Sequence, residues 1–250
     1  KGCMEPIFTT RTGYQRIYFD LPGMGKTPSS STIENSDDIL LLVLGFIDSI
    51  IGKKPFLIIS ESYGCYIARG IIFQREMDVY GAAFICPLIQ PKLSKRVLPK
   101  RIHLYKEPDF LKTLSSKDRK EFVSMTIIQN PRIWQRFKED ILTGLETADN
   151  DFLNEIFFKG YPFSFDVDEA IDFFDKPSLF LLGRQDISVG YHDAWEILEK
   201  YPRASFAILD LAGHSLQIEQ ETLFNALISE WLDRVQFHLK HSSKHAKWRD

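Results

Sequence analysis

The chain shows no excess of charge of either sign: 31 lysines and arginines stand against 34 aspartates and glutamates, a formal net charge of -3. A protein that binds nucleic acid presents an electropositive face to the phosphates, so no nucleic acid partner is expected and a small neutral substrate fits better. Long hydrophobic runs are missing too. The longest, Ile39 to Ile47, is interrupted by Gly45 and closed by Asp48, well short of the roughly 18 to 20 apolar residues that a membrane span requires. No membrane partner is expected. Cysteine is scarce: Cys3, Cys65 and Cys86 are odd in number, far apart and without metal-ligand spacing. They read as free thiols in a reducing compartment, with the cytoplasm as the default location. His103, His192 and the histidines near the C-terminus have no partners at metal spacing either, so no metal is expected. Nothing resembling a signal peptide opens the chain, and Lys1 is no natural start, so further residues are expected upstream.

What is present is a globular composition, 44% hydrophobic and 26% charged over 250 residues, enough for one large domain with its own core. Short apolar runs alternate with longer helical patterns. Arg16 to Asp20 has strand composition and ends in a Pro-Gly turn, and Ser31 to Gly52 follows with helical length and a Ser/Thr start signal. Pro55 to Ser60 is a second strand candidate and Tyr66 to Met77 is helical. Gly81 to Leu88, Pro177 to Gly183 and Ala204 to Leu211 complete the strands. Continuous apolar runs separated by helices predict an α/β fold with a mostly parallel sheet covered on both faces. From Gln90 to about Asp166 the rhythm turns helical throughout, which predicts an insertion that caps the site. The expected organisation is a discontinuous core (1–89 and 167–235), a helical cap (90–166) and a basic, solvated tail (236–250) carrying Lys240, Lys244, Lys247 and Arg249.

The stretch Phe56 to Tyr66 runs a buried strand straight into a helix with Ser62 at the join. Such a turn needs small neighbours, which Ser60 and Gly64 supply, and it lifts the hydroxyl clear of the sheet. Taken alone, Ser62 could equally cap the helix that follows it. Two distant segments bear on the choice. Leu181 to Asp186 ends a strand in a carboxylate, and Leu211 to His214 ends the next in an imidazole. In an open α/β sheet these tips converge on one edge. A serine hydroxyl needs a base to take its proton, and the base needs a carboxylate to fix its tautomer. Ser62, His214 and Asp186 supply those roles, with Asp210 as a competing acid only four residues before His214.

Together the segments Arg16 to Gly25, Ser60-Glu-Ser-Tyr-Gly64, Gly183-Arg-Gln-Asp186 and Ala212-Gly-His214 resemble the α/β-hydrolase fold family, in its Ser-nucleophile, cap-containing group of esterases, proline iminopeptidases and haloperoxidase-like enzymes. The resemblance spans Arg16 to about Arg234. A serine at position 62 speaks against the dehalogenase and epoxide hydrolase branches. The family pattern has Gly where Ser60 stands. It also places a His-Gly pair after its third strand, whose loop supplies half of an oxyanion hole, and no such pair precedes Arg16. That donor and strand are therefore expected upstream, and the other donor is expected to be the backbone N–H of Tyr63.

The resemblance implies a serine hydrolase that cleaves an ester, amide or related acyl bond through an acyl-enzyme on Ser62, without cofactor. Carbon–carbon bond hydrolysis stays open, and a non-catalytic ligand-binding protein of the same fold is the rival. Gly25-Lys26-Thr27 resembles the end of a phosphate-binding loop, but Asp20 occupies its first glycine position and Pro22 and Pro28 interrupt it. Trp134, Phe137, Phe163 and Phe165 read as core rather than pocket. Glu61 could meet a substrate amine, or lie packed and hydrogen-bonded beneath the turn.

Overall fold

A computed structural model describes residues 2–102 and 104–245, with side chains through 241. Four parallel strands form the main sheet in the order β1-β2-β5-β6: β1 (Phe56–Glu61), β2 (Val79–Ile85), β5 (Ser178–Gly183) and β6 (Ala204–Leu209). Every residue of β5 and all but one of β2 are buried, which is why these strands read as unbroken apolar runs. α1 (Ser36–Ile50) starts at Asn35, whose side chain accepts the Asp38 N–H. α2 (Tyr63–Arg75) leaves β1 directly and packs on it and on α1. The last helix, α10 (Glu221–His245), lies on β2 and β5. There Trp231 and Val235 press on Gly81, and the Trp231 indole donates to Pro177 O at 2.9 Å.

The register sets the edge that matters. Glu61 pairs with Ile85, Ile85 with Leu181, and Gly183 with Leu209, so β1 ends with β2 and β5 ends with β6 two residues further along the same edge. Whatever follows β1, β5 and β6 emerges on one rim.

Between β2 and β5 the chain is mainly helical: a two-residue strand β3 (Tyr105–Lys106), α3 (Pro108–Thr113), α4 (Ser116–Met125), the partner strand β4 (Ile128–Gln129), α5 (Pro131–Phe137), α6 (Thr143–Glu146), α7 (Asn150–Lys159) and α8 (Val167–Ala170). The segment has its own small core of Leu111, Phe122, Ile133, Phe137 and Leu142, joined by Ile218 of α9 (Leu216–Glu219). Trp134 and Phe137 pack into it against Phe122. Phe163 and Phe165 stack on each other at 5.1 Å and join Tyr66 and Phe73 of α2. Both ends of the segment meet the wholly buried Arg69 of α2. Its guanidinium donates to Leu88 O at 2.7 Å and Ile89 O at 3.2 Å where the segment begins, and lies 2.8 Å from the Asp168 carboxylate where it ends.

Two expectations need correction. Arg16 to Asp20 forms no ladder; Tyr18 and Phe19 stand 44% and 42% exposed, with the Phe19 ring tilted against Phe46 of α1 at 4.6 Å. Strand composition becomes a strand only where a partner backbone pairs with it, and β1 pairs only with β2 among the described residues. The stretch from Gln236 is helix through His245 rather than tail, because no glycine or proline interrupts α10 and the Gln236 amide is held by the Tyr14 hydroxyl at 2.9 Å. Lys247 and Arg249 lie outside the described residues. None of the described helices is long and apolar enough to cross a membrane.

Candidate active site

Ser62 occupies the turn between β1 and α2 with φ 52° and ψ -119°, a conformation that L-residues seldom adopt. Three backbone bonds impose it. The Ser62 N–H donates to Ile85 O at 2.9 Å, and its carbonyl accepts from Cys65 N at 3.0 Å and Leu88 N at 3.1 Å, so the turn is pinned to the end of β2. The small neighbours face each other, a Cβ on Gly64 lying 3.8 Å from Ser60 Cβ. Ser60 is accommodated in place of glycine because its hydroxyl finds Cys65 Sγ and Ala83 O, each at 3.4 Å.

The capping alternative fails on geometry: the Ser62 side chain makes no cap bond to α2. Its Oγ lies instead 2.9 Å from His214 Nε2, and His214 Nδ1 lies 2.9 Å from Asp186 Oδ2. The fully buried Asp186 accepts the Ser188 and Val189 N–H groups on its other oxygen at 2.8 and 3.1 Å. This arrangement fixes its rotamer and leaves Oδ2 for the imidazole. Burial by itself raises the Asp186 carboxyl, but His214 and the two N–H donors outweigh it and hold the group below the ordinary carboxylate range. Burial correspondingly depresses the His214 imidazole, and Asp186 overrides it and lifts the ring above its ordinary value. In the neutral ring, with Nδ1–H directed at Asp186, Nε2 is the acceptor facing the Ser62 hydroxyl.

Asp210 is excluded as the acid: it is solvated, and its Oδ1 accepts from Gln185 Nε2 at 2.8 Å. Glu61 is packed under the turn, accepting from Gln217 Nε2 at 2.9 Å, and burial raises its carboxyl. The Tyr63 N–H opens α2 and so has no acceptor within the helix. Its ring is held by a hydroxyl bond to Ser36 Oγ at 2.8 Å and by stacking on Tyr161 at 4.9 Å. The Lys26 region is a closed turn: the Lys26 N–H donates to Asp20 Oδ2 at 3.0 Å, and a Cβ at Gly25 (φ +56°) would collide with that same carboxylate. A phosphate cradle needs those amides free, and here an acid fills it.

The donor atoms of Cys86, Asp186 and His214 lie within 4.8 Å of one another, a spacing a metal could use. Their chemistry does not fit one. Burial and the neighbouring Asp186 push the Cys86 thiol well above its ordinary value, which keeps it protonated, and both nitrogens of His214 are already engaged. The described cysteines are free thiols.

A narrow, mainly apolar cleft reaches His214 between Ile102, Val123, Met125, Ile127 and Ile187, with Arg101 at its rim. No motif announces the residues of α4 and the stretch before β4 that form this wall, since their placement depends on packing against the His214 loop. Glu219, which reaches both, also escapes sequence reasoning; its only signal is a glutamate five residues after the histidine in an otherwise buried short helix.

Comparisons with known proteins bear on the family and the fold. The model of the alpha/beta hydrolase family matches residues 6–227. An alpha/beta superfamily hydrolase from Oenococcus oeni PSU-1 superposes with a TM-score of 0.84 at 28% identity, over 93% of this chain and 86% of that one. A thermophilic esterase from Thermogutta terrifontis (TM-score 0.60, 14% identity, 86% and 78%) shares the fold. So does a serine hydrolase from Cycloclasticus zankles (0.58, 17%, 86% and 77%). The comparison with curated proteins gives no match. A parallel sheet whose rim brings a strained serine, an imidazole and a buried carboxylate together, matched by a family model over most of its length, places this chain in the alpha/beta hydrolase family.

Proposed function

We propose that the protein is a serine hydrolase that cleaves an ester, amide or related acyl bond of a small molecule through an acyl-enzyme on Ser62. The observation that carries this reading is the unbroken relay from Ser62 Oγ to His214 to Asp186, at 2.9 Å for each link. A hydroxyl freed from capping and aimed at a carboxylate-backed imidazole is the arrangement that makes an alcohol nucleophilic.

The chemistry follows from the atoms in place. His214 Nε2 takes the Ser62 proton as Oγ bonds to the substrate carbonyl carbon, and the oxyanion that forms is stabilised by the Tyr63 N–H at the positive end of α2. Collapse of that intermediate expels the leaving group, which takes the proton from Nε2. Water then gives a proton to Nε2 and attacks the acyl carbon, and Ser62 recovers its proton as the acid departs. Asp186 keeps its charge throughout and offsets the transient imidazolium. No step requires a cofactor.

A fluorophosphonate probe tests the reading: covalent labelling of the folded protein, lost in Ser62→Ala, is the expected result. A stability shift with ligand but no adduct would instead identify a binding protein of the same fold. Chromogenic acyl esters set against aminoacyl anilides then sort the bond class, with a prolyl anilide distinguishing an iminopeptidase.

A further inference from the structure

Glu219 takes no part in the steps above, yet it is only 3% exposed and lies close behind the base. Its carboxylate accepts three backbone N–H groups from two different parts of the chain. One oxygen receives Gly213 N at 2.7 Å. The other receives Ile128 N at 3.1 Å and, through a short contact, Ile127 N. Gly213 immediately precedes His214. Ile127 and Ile128 lead into β4 of the helical segment, and Ile127 lines the cleft that reaches His214.

The two segments also touch directly. A Cβ at Gly213 would fall 2.7 Å from Ile127 Cγ1, so the absence of a side chain at 213 lets the wall of the cleft close onto the base loop. A second tether lies on the other flank of the histidine, where the Ser215 hydroxyl donates to Met125 O at 3.1 Å. Gln217, two residues further along, reaches Glu61 beside the nucleophile. The stretch from Gly213 to Glu219 is thus bonded to the cleft wall on both sides of His214 and to the strand that carries Ser62.

A carboxylate is well suited to this junction. Burying one is costly unless its lone pairs are filled, and three N–H donors fill them. An amide of the same shape cannot do so: it has one acceptor oxygen, and its NH2 would confront either Gly213 N–H or the Ile127 and Ile128 pair. One side of the junction must let go.

We infer that Glu219 is a positioning residue, which locks the loop carrying His214 to the cleft wall at Ile127 and Ile128 and so holds the imidazole in register with Ser62. The inference rests on the acyl-transfer reading.

The test compares wild type, Glu219→Gln and Glu221→Gln as full-length folded proteins, with fluorophosphonate labelling rates normalised to active-site titration. Glu221 joins Arg132 and Arg136 of the helical segment to α10 through side-chain ion pairs, so it controls for loosened attachment of that segment. Glu219→Gln is expected to slow labelling and kcat by about 10- to 100-fold, the scale of an ångström-level misplacement of a reacting group. KM should change less than kcat, and Glu221→Gln should stay within about twofold of wild type. A purely structural role would lower the yield of titratable protein and leave the rate per site unchanged, and that result overturns the inference. Should Glu219→Gln give no folded protein, Glu219→Asp takes its place, keeping the charge but losing one methylene of reach, with the same outcomes read in the same way. A wild type that takes no probe refutes the acyl-transfer reading itself. A wild type that labels while the Glu219 variant labels equally fast refutes only the positioning role.

Discussion

Replacing Asp186 by asparagine tests the proposed chemistry most sharply, because the structure dictates which way the new amide must face. The Ser188 and Val189 N–H groups both point at Oδ1, so the oxygen of the introduced amide is drawn to them and its NH2 is left opposite His214 Nδ1. Nδ1 must then become an acceptor, the ring proton moves to Nε2, and the face toward Ser62 can no longer take a proton. A wrong tautomer in an otherwise intact relay lowers kcat by about 10⁴-fold, about 5 kcal/mol of transition-state stabilisation. The pH dependence adds an independent readout. Activity needs neutral His214, so the rate rises as pH climbs through the histidine pKa. In wild type Asp186 lifts that pKa above the ordinary imidazole value, whereas in Asp186→Asn burial is opposed by the weaker pull of Glu61 and the limb moves to lower pH even as the plateau falls. Profiles of kcat/KM against pH with a chromogenic acyl ester, alongside Asp210→Asn as a comparison, provide the measurement. An Asp186→Asn enzyme that keeps a tenth or more of its activity, or whose limb stays in place, would refute the reasoning, as would an Asp210→Asn enzyme equally impaired.

Two further predictions concern the energy stored in the fold. Ser62→Gly and Ser62→Ala both lack the nucleophile, but only glycine relaxes at φ 52°. Ser62→Gly should therefore be the more stable of the two by on the order of 1 kcal/mol after its extra unfolded-state entropy is subtracted, read as a difference of about 2–4 °C in Tm; equal midpoints would mean that the turn is unstrained. Arg69→Met removes a wholly buried cation and leaves Asp168 facing the interior without its partner. It should cost about 3–5 kcal/mol in urea unfolding, and a loss below about 1 kcal/mol would show that the ion pair does not hold the segment.

Much of this architecture is legible because burial on both faces leaves a simple trace. The runs at Pro55 to Ser60, Gly81 to Leu88, Pro177 to Gly183 and Ala204 to Leu211 correspond to β1, β2, β5 and β6 within a few residues. Ser62, Asp186 and His214 can be placed on one rim because the parallel strands end at the same edge of the sheet, within two residues of one another. Arg16 to Asp20 misleads for the converse reason: five residues carry their own propensity but no information about whether a partner backbone is within reach. The helix beyond Gln236 is hidden because its sequence is basic and lacks apolar periodicity, while the contact of Gln236 with Tyr14 marks where it is packed. Asp186 and Asp210 both follow strands, and chain distance cannot rank them; the loop amides at 188 and 189 do. Glu219 is invisible because its partners are backbone groups, which have no signature in a sequence.

The two ends of the helical insertion land on one guanidinium, at Leu88 and Ile89 on one side and Asp168 on the other. Arg69 therefore works as a socket: it reads carbonyl oxygens and a carboxylate, none of which depends on what lies in the stretch between them. An insertion of different length or composition that returns to those same contacts would plug into an unaltered sheet and relay. Under the proposed chemistry, the wall beside His214 would be exchanged wholesale while Ser62, His214 and Asp186 stay where they are.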